Sequence, residues 1–127
     1  EGTYAEGAVA GGAGLIVGGS LGENAYPQND YYIQLSYSTG AVSGGNGSIV
    51  GGFIGENDSR YTADDYWDTT TSGTKIGVGL GNETSITGMT TAQLQSGLPP
   101  GFDARTWRET AGINDGLPYL RRNAPPK

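Results

Sequence analysis

The sequence predicts an all-β chain that stacks glycine-rich repeats into a parallel β-solenoid, with a C-terminal cap containing one short helix. Three observations predict it. Residues 4–24 (YAEGAVAGGAGLIVGGSLGEN) and 37–57 (YSTGAVSGGNGSIVGGFIGEN) align without a gap at an offset of 33, with 14 of 21 positions identical; self-similarity at such a period marks a repeat architecture. The apolar runs inside each copy are short, β-branched and punctuated by glycine, which suits strands and not helices. Glycine takes 24 of 127 positions and hydrophobic residues only 35%, so one repeat has too little apolar material for its own core and must bury it on a neighbour.

In chain order, the first copy offers strands of about 3 to 5 residues at Ala8-Val9, Ile16-Val17 and Leu21, and the second at Ala41-Val42, Ile49-Val50 and Phe53-Ile54. Gly11-Gly12 and Gly18-Gly19, with their equivalents Gly44-Gly45 and Gly51-Gly52, mark corners, because glycine lets the chain turn and lets backbones approach. Residues 25–30 (AYPQND) read as a turn-rich insertion, and 31–37 (YYIQLSY) as the best aromatic strand. The first copy lacks an equivalent of that strand, which suggests a chain beginning at a repeat boundary. After Asp58 the repeat decays, with Tyr66 and Gly73 echoing Tyr37 and Gly40. Residues 75–81 (KIGVGLG) alternate glycine with aliphatics, a period-two strand. Thr90 as N-cap, Gln93 three residues on, Gly97 and Pro99-Pro100 spell a short helix, and Trp107 and Tyr119 are expected to anchor the cap. The chain thus divides into two repeats over 1–57 and a degenerate final level plus capping region over 58–127.

The charge is uneven. Residues 1–100 hold ten acidic against two basic side chains, whereas Arg105, Arg108, Arg121, Arg122 and Lys127 outnumber the acids of the tail. An acidic body repels phosphate backbones and anionic lipid, so neither nucleic acid nor a membrane is an expected partner. No apolar run approaches the length that spans a bilayer. The same asymmetry favours contact between copies, with Arg105, Arg108, Arg121 and Arg122 as candidate assembly contacts. With no cysteine and no histidine, thiol chemistry, imidazole bases and the usual zinc ligands are excluded.

Candidate chemistry is thin. Asp58, Asp64, Asp65 and Asp68 gather four carboxylates in a short span, weak calcium candidates whose spacing fits no EF-hand loop; an exposed turn of solvated acids is the plainer account of them. Isoleucine (Ile16, Ile49) stands where a calcium-binding nonapeptide repeat needs aspartate. Tyr31, Tyr32, Tyr61, Tyr66 and Trp67 could stack on sugar rings, or fill repeat layers and interfaces. No cofactor is implied.

GAVSGGNGSIVGGFIGEN (residues 40–57) resembles the GLUG motif, a glycine-rich repeat of large exported bacterial surface proteins, including filamentous-haemagglutinin-like adhesins. YWDTTTSG, TTAQLQSGLPPGF and GINDGLPYLR resemble the ending that follows the last such repeat. The resemblance implies a right-handed parallel β-helix, outside the cell, with no catalytic residue of its own; Ser20 departs from it where a bulky apolar residue is usual. The expectation is therefore a secreted or surface-bound structural and adhesive module, self-associating head-to-tail into filaments. Its alternatives are a carbohydrate-active enzyme or glycan-binding module using residues 58–68, and a monomeric terminal cap of a large adhesin.

Overall fold

The computed structural model describes residues 2–25 and 32–126. These residues are mostly strand, with a single short α-helix among them, an all-β protein whose sheets are short, of two to four strands each. The first repeat supplies β1 (Tyr4–Ala5), β2 (Val9–Ala10), β3 (Ile16–Gly18) and β4 (Leu21–Asn24). The second supplies β5 (Ile33–Gln34), β6 (Tyr37–Ser38), β7 (Val42–Ser43), β8 (Ile49–Gly51) and β9 (Ile54–Asn57). Each first-repeat strand pairs in parallel with its own equivalent: Tyr4 with Tyr37, Val9 with Val42, Ile16 with Ile49, Leu21 with Ile54. The offset of 33 is kept through all four, so the sequence repeat is the register of the ladder. Gly14 and Gly47 share a left-handed conformation, φ 70° and 73°, at the corner before β3 and β8, where an L side chain would be strained.

The next level is shorter. β10 (Thr62–Ala63) pairs with β5, β11 (Asp65–Asp68) with β6, and β12 (Val78–Gly81) with β9. Equivalents of β7 and β8 are replaced by a turn through Thr70–Thr74 and the residues that follow it, which still accept across the gap: the Ser72 carbonyl from Val42 N–H (3.1 Å) and the Ile76 carbonyl from Gly52 N–H (2.7 Å). β13 (Ile86–Met89) adds a fourth strand to β11 alone. The expected strand over 75–81 is confined to Val78–Gly81, with Ile76 exposed.

The aromatic strand expected over 31–37 is broken in two. Tyr31 lies outside the described residues; the break falls at Leu35, whose φ is 55°. Asp64 (φ 54°) and Ser85 (φ 61°) adopt the same conformation at the equivalent place in the next two levels. A left-handed corner is thus stacked three times in non-glycine residues, each at a cost of about 1–2 kcal/mol. Parallel pairing on both sides, β5 with β10 and β6 with β11, holds it in place.

Two apolar clusters flank the four-stranded sheet β1-β6-β11-β13. Inside lie Phe53, Ile54, Trp67, Val78 and Ile86. Trp67 occupies a hollow lined by Gly52, Gly77 and Gly88, at each of which a Cβ would collide with the indole, and its ring N–H donates to the Thr74 carbonyl at 3.0 Å. Outside, Tyr37, Tyr66, Phe102 and Trp107 form the second cluster, with Tyr4 packed against it. Alternation along the strand explains the split: Tyr66 and Trp67 are neighbours in β11 and face opposite ways.

The C-terminal segment covers the tyrosine side of the sheet. α1 (Thr91–Leu94) has Thr90 as N-cap in a full capping box with Gln93, and buries only Leu94. β14 (Trp107–Arg108) and β15 (Tyr119–Leu120) then pair antiparallel. Tyr4 and Tyr37 stack at 5.5 Å, Trp107 lies against both, and Phe102 meets Tyr66 edge-on at 5.7 Å. The Tyr37 hydroxyl donates to the Pro118 carbonyl and that of Tyr66 to Pro100 at 2.7 Å. Trp107 and Tyr119 are buried here, so the segment that follows the helix runs along the flank of the stack, touching all three levels.

Candidate association surface

Among the described residues the first repeat has a neighbour on one side only. β1, β2, β3 and β4 are each the outermost strand of their sheets, so each presents an edge with no ladder partner among the described residues. Val9, Leu15, Ile16 and Leu21 are exposed on this level, Leu15 at 51%. Leu21 is 37% exposed, whereas its register partner Ile54 is 0% exposed. Four exposed apolar side chains thus belong to the level that carries four open strand edges, and open edges are the places where further strands add.

One polar column crosses the same levels. Asn24 Nδ2 donates to Asn57 Oδ1 at 2.9 Å, and Asn57 Nδ2 donates to the Asn82 carbonyl at 2.7 Å. The Asn57 amide can sit only this way round, because its Oδ1 also accepts from Ser59 N–H (3.2 Å) and a carbonyl only accepts. The sequence assigns neither asparagine to a hydrogen-bonded column; their identity at equal places in the two copies was the available signal.

The far end is stepped. The sheet β1-β6-β11-β13 runs four strands deep and β4-β9-β12 only three, so β13 stands one level beyond β12.

The four aspartates do not converge. Asp58 and Asp64 are exposed and Asp65 and Asp68 buried. Asp68 Oδ1 accepts from Thr70 and Thr71 N–H at 2.8 and 3.0 Å, and its Oδ2 from the Thr91 hydroxyl at 2.5 Å, which ties the turn to α1. Asp65 Oδ1 accepts from Ser36 N–H at 3.1 Å, while Oδ2 is buried without a partner among the described residues. Burial raises its carboxyl from 3.8 to about 7, against the lowering effect of the Ser36 and Ala63 N–H groups. Among the described residues no group of three or more carboxylates is placed to hold a metal ion. The calcium candidates Asp58, Asp64, Asp65 and Asp68 therefore supply no joint ligand set, because the backbone engages the two buried ones separately.

Of the aromatics, Tyr66 and Trp67 are buried and offer no ring face to a sugar. Tyr32 and Tyr61 form a surface pair with centroids 5.1 Å apart, Tyr32 being 56% exposed. Arg105, Arg108, Arg121 and Arg122 are all exposed on the flanking segment, with Arg105 beside Asp103 at 3.6 Å and Arg121 donating to the Ala104 carbonyl at 3.1 Å. A cleft of about 490 Å³ adjoins Trp107, Arg108, Glu109 and Arg121. No helix among the described residues is long and apolar enough to cross a membrane.

Compared with known proteins, the chain matches no family model, no curated protein and no solved structure.

Proposed function

We propose that the chain is a non-enzymatic structural and adhesive module of a bacterial surface or secreted protein, built as a right-handed parallel β-helix, and that it associates through its first-repeat face. The observation that carries this reading is the in-register pairing of every first-repeat strand with its equivalent, which leaves an apolar, edge-exposing surface on one side. Open parallel edges of that kind recruit further strands. The bacterial, extracellular and right-handed parts rest on the resemblance of residues 40–57 to the GLUG motif. The stepped far end and the lateral placement of the four arginines favour association at the first repeat over the head-to-tail filament expected from charge alone.

Negative-stain electron microscopy and sedimentation of the 127-residue chain, over a range of concentration and salt, test the reading. Concentration-dependent association that is lost in an Ile16→Lys/Leu21→Lys variant is the expected result. A monomer under every condition removes self-association and leaves a terminal cap.

Glycan contact is a second reading, favoured by the Tyr32–Tyr61 pair. Tyr32→Ala should then abolish binding on a glycan array without changing the melting temperature.

A further inference from the structure

We infer that the first-repeat face is a template for one more level of the same repeat: a parallel segment ending in aliphatic-Gly-Glu-Asn, its asparagine donating to Asn24. The inference rests on reading this face as an association surface, and it specifies the occupant. Continuity is the first ground. β1 to β4 stand at one level, and their other edges already hold β6, β7, β8 and β9 without a slip in register. A segment carrying the same spacing meets four edges at once; an unrelated strand meets one.

The asparagine column supplies direction. Since Asn57 Oδ1 is fixed as an acceptor by Ser59, one N–H of Asn24 Nδ2 is directed at Asn57, and Asn24 Oδ1 accepts no bond among the described residues. An incoming asparagine in the same register would donate to that oxygen as Asn24 does to Asn57. The far end of a second copy cannot complete all four edges, because β13 projects one level beyond β12 and meets the incoming surface before β12 reaches β4. The occupant must bring its own repeat.

The carboxylates add a signature. Glu23 and Glu56 are register partners, like charges side by side in the ladder, and an incoming glutamate makes a third. Such repulsion is screened by salt, so this contact tightens as salt rises, opposite to an acidic body meeting basic side chains.

The probe is a labelled peptide of the chain's own residues 37–57, titrated into the intact protein and followed by anisotropy. Saturable one-to-one binding is expected, tighter at high salt, and weakened at least about tenfold by Ile16→Lys/Leu21→Lys in the protein. An Asn57→Asp peptide, isosteric but without the donor, should bind comparably weakly even at high salt. Because a free peptide must order itself on binding, a second form carries residues 4–36 duplicated in tandem. Its melting temperature should rise, and the amide of Gly22, which faces the open edge because Leu21 N–H is already bonded to the Phe53 carbonyl, should gain protection from hydrogen exchange. Failure of both peptide binding and tandem stabilisation overturns the inference, as does binding indifferent to the lysine substitutions. If the intact chain self-associates but the peptide does not compete, the association reading stands and this occupant falls. If the peptide binds while the chain stays monomeric, the occupant stands and self-association falls.

Discussion

The first and second repeats are nearly the same sequence in different surroundings. Leu21 and Ile54 are register partners, yet one is 37% exposed and the other fully buried. Asn24 has one level beside it; Asn57 has two and is 0% exposed. The difference teaches that burial here belongs to the level and not to the residue: a repeat becomes core only when covered on both sides.

The largest expected effect separates Phe53 from Ser20, the most dissimilar pair at equivalent positions. Phe53 is wholly buried beside Trp67 and Ile54, so Phe53→Ala should cost about 3–5 kcal/mol. Ser20→Ala should change stability by no more than about 0.5 kcal/mol. Denaturant unfolding of both variants measures the contrast, and equal losses would break it. Next comes the aliphatic pair: Ile54→Ala should cost about 2–5 kcal/mol, Leu21→Ala less than about 1 kcal/mol. If the first-repeat face is covered in solution, the Leu21 cost rises toward that of Ile54 as protein concentration increases.

A third contrast lies in the column Thr3, Ser36, Asp65. Thr3 N–H donates to Ser36 Oγ, and Ser36 N–H to Asp65 Oδ1, each at 3.1 Å; the hydroxyl of the first two levels becomes a carboxyl in the third. Its folded pKa of about 7 exceeds the ordinary 3.8. Below the lower value both folded and unfolded chains hold the proton and stability is full. Between the two only the folded chain holds it, so stability falls as pH rises, and above about 7 the loss is complete. Asp65→Asn should remove this slope and raise stability at pH 8 by about 1–3 kcal/mol, read from melting curves across pH.

The last contrast compares the asparagines. Asn57→Ala leaves Ser59 N–H and Asn24 Nδ2 without their acceptor and should cost about 1–3 kcal/mol; Asn24→Ala, at the open face, about 0.5–1 kcal/mol. Hydrogen exchange at Ser59 checks the first.

Several features were legible because a local rule produced them. The repeat gave the register outright, since identical residues pair best with themselves at one offset. Thr90 and Gln93 gave the helix start, as a capping box needs only four consecutive residues. The break at Leu35 was not legible: a bulky residue at φ 55° contradicts its own preference and is held by pairing with residues about 30 positions away. The candidate surface was equally hidden. Ile16 and Ile49 read alike, and the aspartates singled out by their clustering were divided between solvent and separate backbone donors.

The sequence by itself determined the strand class, the 33-residue register and the capping box, because each follows from local residue pattern or from like pairing with like. Tertiary structure alone decided that Trp67 turns inward onto three glycines while Tyr66 turns outward, that the C-terminal segment lies on a tyrosine flank, and that Asp65 is buried with one oxygen unpartnered. The physical reason is common to all three: each depends on which levels and segments lie beside a residue in space, and a repeated sequence says the same thing at every level.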